Sequence, residues 1–349
     1  MSADASAFTV VIPTYRRCAS LQRVLSGLAR QEWPDDALEV VVVSDGGDDG
    51  TAQMARSHPM PFPIRVMVQV NQGPASARNL GVASARHPFV LFLDDDVVPH
   101  PSLVAEHARA HDGRCDRVVL GPLLEPPTRL QPWVRWESRR LADQYRAMVA
   151  GEWAPTPWQL YTGNASVLVE HVRRAGGFDA SYRRAEDVEL GFRLERLGCE
   201  FVFNPAAAGL HYARRSYRSW LDAAHQYGRN DVLFGKGEER AGGEFRHRHP
   251  LTRALVRFGL HHRAAAAPLP ALTYAALQVT DVLRLWPVTT QLCSAIFNLE
   301  YWVGVSDQLG SASAALTLAE FGSRRTHRVA GLLSRARSAL PIGVWRGHP

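Results

Sequence analysis

The sequence predicts an α/β fold: a mainly parallel, doubly wound sheet with helices on both faces, followed by a helical C-terminal appendage. Three observations carry this expectation. Short apolar runs alternate with amphipathic stretches through residues 8–96, the rhythm of successive βαβ units. Polar clusters follow the runs directly, at Thr14-Tyr15, at Asp45 and at Asp94–Asp96. From about Ser216 onward the pattern is helical alone. With 349 residues, 46% of them hydrophobic and 21% charged, the chain can bury a sizeable core and is not a disordered tail.

Each element has its own signal. Phe8–Ile12 is an apolar run closed by Pro13 and reads as a buried strand. Between Ala19 and Arg30, Leu21, Val24, Leu25 and Leu28 recur at helical spacing. Leu38–Val43 is a second strand, ended by the turn formers Asp45-Gly-Gly-Asp-Asp-Gly. A short helix over Thr51–Ser57, a strand at Ile64–Val70, a small-residue helix over Ala75–Ala85 and a strand at Phe89–Leu93 follow. Farther on, Val118–Leu124, Tyr161–Val169, Glu200–Asn204 and Gly209–Tyr212 read as strands, and Trp133–Val149 and Asp187–Leu197 as helices. Ligands of such sheets bind beyond the carboxyl ends of the strands, so the polar clusters are expected to converge there.

Composition narrows the function classes. The net charge is +6, but residues 1–200 carry 22 basic and 25 acidic side chains while 201–349 carry 18 and 9. A basic C-terminal part suits an anionic partner. No arginine run interleaves with aromatics, which argues against a nucleic-acid module. Cys18, Cys115, Cys199 and Cys293 stand far apart with no CxxC pair, against a zinc knuckle or a disulfide framework and in favour of a reducing compartment. The first residues lack a basic and then apolar leader pattern, so a cytoplasmic location is expected. Within Ala264–Gly310 the charge-free pieces are short and broken by Pro268, Pro270 and Pro287, against the ~20 apolar residues a spanning helix needs. A packed helical subdomain is preferred over an interfacial helix flanked by Arg257, Arg263 and Arg284.

The acidic residues carry the chemistry. Three adjacent carboxylates at Asp94–Asp96 repel one another unless they are solvated or hold a cation. Strand alternation would turn Asp94 and Asp96 to one site, suited to Mg²⁺ or Mn²⁺ shared with substrate phosphates; an exposed acidic turn is the plainer alternative. Asp45, directly after a buried strand, can accept hydrogen bonds from a base edge or a ribose. Gly73-Pro74 opens a helix whose first amides favour anions, and Arg78 lies one turn in, placed to pair with a diphosphate.

Val10-Val-Ile-Pro-Thr-Tyr15, Asp45-Gly, the Asn71…Ala77-Arg78-Asn79 block and Leu93-Asp94-Asp95-Asp96 resemble the family 2 glycosyltransferases of GT-A fold. Thr162-Gly163-Asn164, Gly176-Gly177-Phe178-Asp179 and Glu186-Asp187-Val-Glu-Leu-Gly-Phe-Arg193 continue the likeness in order, over roughly residues 8–230. The resemblance implies a Rossmann-like mixed sheet, a nucleotide-diphospho-sugar donor (most commonly a UDP-sugar), a divalent metal, and transfer to an acceptor hydroxyl with inversion. It implies that Pro13, Tyr15 and Asp45 lie around the nucleoside and that Arg78 approaches the nucleotide. Asp94, Asp95 and Asp96 would form the DxD region, with Asp96 and His211 as metal ligands, and Asp187 would be the base. Gly163, Asn164, Glu186 and Trp158 are expected on the acceptor side. Relatives often have two acidic residues where this chain has Ser44-Asp45, so the nucleoside contact rests on Asp45 alone. Glu186 and Glu189 should raise the proton affinity of Asp187, with Arg193 tempering that or holding the cluster.

The expected organisation is a domain over residues 1–235, with a nucleotide-binding half at 1–100 and an acceptor half at 101–235, then a helical region at 236–349. The appendage is expected to bind acceptor, to dimerise or to touch a membrane bearing a lipid-linked acceptor. The Gln-x-x-Arg-Trp mark of processive synthases is missing, which favours a single addition. A sugar nucleotidyltransferase should carry a Gly-rich loop after the first strand, where Pro13-Thr-Tyr-Arg-Arg stands instead; a binding protein with a degenerate site should have lost Asp96 or Asp187.

Overall fold

A computed structural model describes residues 7–47, 49–182, 184–233 and 250–321. The chain runs β1 (Phe8–Thr14), α1 (Cys18–Leu28), β2 (Leu38–Asp45), α2 (Thr51–Ser57), β3 (Ile64–Gln69), α3 (Pro74–Ser84) and β4 (Phe89–Leu93). It continues through β5 (Val97–Pro99), α4 (Leu103–His111), β6 (Arg117–Leu120), β7 (Leu123–Leu124), α5 (Pro132–Val149), β8 (Asn164–Leu168), α6 (Val169–Arg174), α7 (Glu186–Arg196), β9 (Glu200–Phe203) and β10 (Gly209–His211). Seven strands form one sheet in the order β3-β2-β1-β4-β8-β6-β9. β1 to β4 are parallel, and β8 runs antiparallel to both its neighbours, which makes the sheet mixed.

The unbroken apolar runs are explained by burial on both faces. Val10, Ile12, Val40 and Val42 pack with Leu21, Val24 and Leu25 of α1 in one core. Val11, Val41 and Val43, pointing the other way, pack with Ala77 and Val82 of α3 and Leu190 of α7 in the second. A two-residue period feeding two cores fills most positions with apolar residues, and the polar exceptions Thr9 and Glu39 are bonded to each other at 2.7 Å. Pro13 sits on β1 two residues beyond Val11, where pairing with β4 ends, so its missing N–H falls past that ladder.

Two readings are corrected. The run Val118–Leu124 is two strands, β6 in the large sheet and β7 in a small sheet ordered β5-β10-β7, divided at Gly121-Pro122. The carboxylates 94–96 are not on a strand. β4 ends at Leu93, the Val97 amide donates to the Asp94 carbonyl at 3.1 Å, and this turn cancels the alternation expected of Asp94 and Asp96.

The chain divides into two compact units, residues 1–130 with 137–214, and residues 131–136 with 215–349. The second holds α8 (Tyr217–Leu233), α9 (Pro250–His261), α10 (Arg263–Ala266), α11 (Leu269–Val282), α12 (Trp286–Leu309) and α13 (Ala312–Phe321). α12 buries Cys293, Ile296, Trp302 and Val305. α8, ahead of the boundary read at 235, packs on α12 backbone to backbone. A Cβ on Gly228 would meet the Tyr301 carbonyl oxygen at 2.0 Å, and one on Gly304 the His225 carbonyl oxygen at 2.0 Å. No helix among the described residues is long and apolar enough to cross a membrane.

Candidate active site

The carboxyl-end edge of β1, β2 and β4 gathers the polar residues, and two guanidinium groups divide its carboxylates into two sets. In the first, the Thr14 hydroxyl donates to Asp95 Oδ2 at 2.7 Å, and Arg17 Nη1 donates to Asp95 Oδ1 at 3.1 Å and Asp96 Oδ2 at 2.7 Å. His211, at the end of β10, brings its Nε2 to 3.4 Å from Asp96 Oδ1. Burial acts to raise the Asp96 pKa, but the hydrogen bond and charge of His211, joined by Arg17, outweigh it and lower the carboxyl to about 2. For Asp95 burial wins over Arg17 and Thr14, and its carboxyl rises to about 6.

In the second set, Arg78 Nη1 donates to Glu186 Oε1 at 2.9 Å and Nη2 to Asp94 Oδ1 at 2.8 Å. The guanidinium is 5% exposed and lies over the Phe178 ring at 5.7 Å. Phe178 is fixed in turn by Phe92, whose ring centre is 5.2 Å away, and by reciprocal bonds between its backbone and the Asn79 amide. Asp187 follows Glu186 in the first turn of α7, and its Oδ1 accepts from the Val188 amide at 2.8 Å. Burial and then the Glu186 charge push its carboxyl up to about 7, with Arg78 opposing. The residue before this pair, Ala185, holds φ +61°, a conformation costly for a residue with a Cβ.

The expected neighbours sort as follows. Asp94 is the carboxylate of the triad with the most solvent, its side chain 36% exposed, and Gly163 lies against it: a Cβ there would stand 2.9 Å from Asp94 Oδ2. Tyr15 is exposed beyond β1 with the Arg16 guanidinium over its ring. Asp45 accepts from Gln69 Nε2 and from the amides of Gln72 and Gly73, all at 2.7–2.8 Å. It therefore shapes the turn into α3, and of about four acceptor sites on a carboxylate one remains.

Four placements are corrected. Arg78 does not reach out toward a ligand but is buried between Asp94 and Glu186, its Nε without a hydrogen-bond partner. Glu186 is buried as its counter-ion rather than turned to an acceptor. Asn164 is 1% exposed; its Nδ2 donates to the Ala207 and Pro122 carbonyls and its Oδ1 lies 2.9 Å from His107 Nε2. Asp95 is turned inward to Thr14 and Arg17. Trp158 packs edge-on to Phe192 of α7, ring centres 4.6 Å apart, and Glu189 is held by Arg193. Arg17 was not singled out from the sequence, and Thr14 and Phe178, though they stand in the polar cluster and motif quoted above, were given no role in the site. Their signal was position: Thr14 and Arg17 continue the polar edge after β1.

The donor set suits a hard divalent cation in part. Asp96 supplies an ionised carboxylate and His211 an imidazole, and no group of three or more His, Cys, Asp or Glu suited to a metal occurs among the described residues. Two protein ligands match ions that complete their shell with substrate phosphates and water.

The mixed, mainly parallel sheet and the helices that follow it form a GT-A type fold. Residues 9–170 match the profile of glycosyl transferase family 2. It is 33% identical over 229 residues to the validoxylamine A glucosyltransferase of Streptomyces hygroscopicus subsp. jinggangensis, covering 58% of this chain and 54% of the relative. It is 29% identical over 234 residues to the pre-mycofactocin glycosyltransferase of Mycobacterium tuberculosis, covering 63% and 46%. The chain thus spans about half the length of these curated relatives. Among solved structures, a Pyrobaculum calidifontis mannosyltransferase in complex with GDP-Man and Mn²⁺ aligns with TM-score 0.59 at 21% identity, over 85% of this chain and 87% of the other. Staphylococcus aureus TarS in complex with UDP aligns with TM-score 0.52 at 20% identity, over 87% and 92%.

Proposed function

We propose that the first unit is an inverting glycosyltransferase that moves a sugar from a nucleotide-diphospho-sugar, UDP-linked, to an acceptor hydroxyl in a single addition. The observation that carries this is Asp187, a carboxyl raised to about 7 at the edge where Asp94 and Asp96 gather. A base is most effective when its pKa lies near the working pH. In the reaction the acceptor oxygen forms a bond to the anomeric carbon as the bond to the diphosphate breaks. The electron pair leaves with the diphosphate, and the hydroxyl proton passes to a carboxylate oxygen of Asp187. Asp45, Pro13 and Tyr15 border the nucleoside, and the amides opening α3 favour its phosphates.

Asp96 and His211 would hold a divalent cation, which when bound supplies Lewis-acid stabilisation of the negative charge on the leaving group. The relatives support this reading by their names: one transfers glucose, and a structural neighbour holds GDP-Man with Mn²⁺.

A melting panel of UDP- and GDP-sugars with and without Mn²⁺ identifies the donor, since a ligand selective for the native state raises the midpoint. Asp187→Asn should then lower transfer ~10²–10⁴-fold while the donor-induced shift persists. Unchanged transfer in that variant would remove Asp187 from the role of base. Diphosphate release from a nucleoside triphosphate and a sugar 1-phosphate would show a nucleotidyltransferase instead.

A further inference from the structure

Residues 250–290 of the second unit turn apolar side chains into solvent. On α11, Leu272, Val279 and Val282 are 63%, 57% and 73% exposed, and their spacing sets them on one stripe. The opposite side of α11 buries Leu277 and Asp281. Leu283 and Leu285 carry the exposed series through the turn into α12. α9 repeats the pattern, with Leu251 and Phe258 exposed seven residues apart and Arg253 and Arg257 exposed beside them.

Charge in this stretch has one sign. Asp281 is its single acidic residue, and it is buried against Arg135. Every other charged side chain at residues 250–290 is an arginine, and Arg253, Arg257 and Arg284 are exposed. Apolar surface of this extent marks an interaction site, and an apolar stripe flanked by arginines is the composition of a helix lying in a membrane interface.

We propose that the α9–α11 segment docks on the surface of a bilayer containing anionic phospholipid, lying on the membrane rather than crossing it. The apolar stripe would enter the headgroup boundary while the arginines pair with lipid phosphates. The charge pattern favours this occupant over a second copy. An isologous dimer through the same face would set these arginines against their equivalents, with no exposed carboxylate at residues 250–290 to relieve them. This proposal stands apart from the transfer reaction and is tested without it.

The test is co-sedimentation of the full chain with vesicles of phosphatidylcholine alone and of phosphatidylcholine mixed with phosphatidylglycerol. Binding is expected to the mixed vesicles only, and to weaken as salt is raised. Arg253→Glu/Arg257→Glu should weaken it by at least about fivefold per residue changed. Val279→Asp/Val282→Asp should abolish it with an unchanged melting midpoint, and Leu272→Ser/Val279→Ser serves if the first pair fails to fold. Failure of the unaltered chain to bind mixed vesicles would overturn the proposal. So would binding that the α11 variants leave intact, or a dimer seen by light scattering that those variants dissociate.

Discussion

Replacing Arg78 by Gln removes a cation that holds two carboxylates and opposes the ionisation of neither. The guanidinium is 5% exposed and bonded at 2.9 Å to Glu186 and at 2.8 Å to Asp94. Removing one partner of a buried pair costs ~3–5 kcal/mol; Asp94 reaches solvent, so about 3 kcal/mol is the expected loss of stability. The sharper consequence is on Asp187. Burial and Glu186 raise its carboxyl to about 7, and Arg78 acts against them. A nearby opposite charge commonly lowers a carboxyl by ~1–3 units, so its loss should move Asp187 upward by that much. In the proposed role of base Asp187 works ionised, and the acid limb of kcat/KM should therefore shift to higher pH. At neutral pH a rise of ~1 unit leaves about a tenth of the base ionised in place of about half, a fivefold loss, and ~3 units give several hundredfold. The loss should be recovered as pH rises past the new limb. The assay is the initial rate of transfer against pH at constant ionic strength, run on protein shown to melt cooperatively. A folded Arg78→Gln enzyme whose acid limb stays in place or moves down would refute this account of Asp187.

Three further outcomes follow. Gly163→Ala places a methyl 2.9 Å from Asp94 Oδ2, which must move that carboxylate; transfer should fall at least tenfold with a melting midpoint near that of the parent, and unchanged kinetics would separate Asp94 from the reaction. Ala185→Gly relieves a left-handed residue and should stabilise the fold by about 1 kcal/mol, read as a higher denaturant midpoint. His107 and His111, which burial lowers to about 4 and about 3, act to weaken the first unit in acid. The unfolded histidine binds its proton near pH 6.5 and the folded one does not, so stability is lost as pH falls below that value; by about pH 5 the cost is roughly 2 kcal/mol for each. The raised carboxyls of Asp95 and Asp187 add stability over the same fall in pH, so the histidine share is read by difference. A His111→Phe variant should lose less stability than the parent between about pH 7 and about pH 5, and an equal loss in the two proteins would contradict the His111 shift.

What the sequence made legible was the part set by local period. β1, β2 and β4 were visible because burial on both faces fills most positions with apolar residues, and the edge they create follows from parallel topology. The three-residue strand β5 was not separable from a loop, since so short a run has no period, whereas β10 lies within the strand read at Gly209–Tyr212. The site residues divide similarly. Asp187 and Asp96 stand out through neighbouring charge, but which cation meets which carboxylate depends on pairs far apart in sequence. Glu186 lies 108 residues from Arg78, and Asp96 lies 79 from Arg17. The same distance hid the fate of Asn164, whose partner His107 is 57 residues earlier and draws it into the interior of the sheet.

Local surroundings also explain how carboxyls of this edge come to differ. His211 and Arg17 hold Asp96 ionised down to about 2, whereas Asp187, buried and crowded by Glu186, takes its proton near neutrality although Arg78 and the Val188 amide act against this. Carboxyls pushed apart in this way divide into a permanent anion and a base that can cycle. Charge counting leads to the same place. With Asp187 protonated, Asp94, Asp95, Asp96 and Glu186 set four formal negative charges against the two positive charges of Arg17 and Arg78. The surplus of two, at the strand ends and beside His211, is the charge a single divalent cation would neutralise, and removing Arg17 should tighten Mn²⁺ binding measured without any sugar donor. Weaker Mn²⁺ binding in Arg17→Gln would mean that Arg17 organises the cation site instead of competing for Asp96.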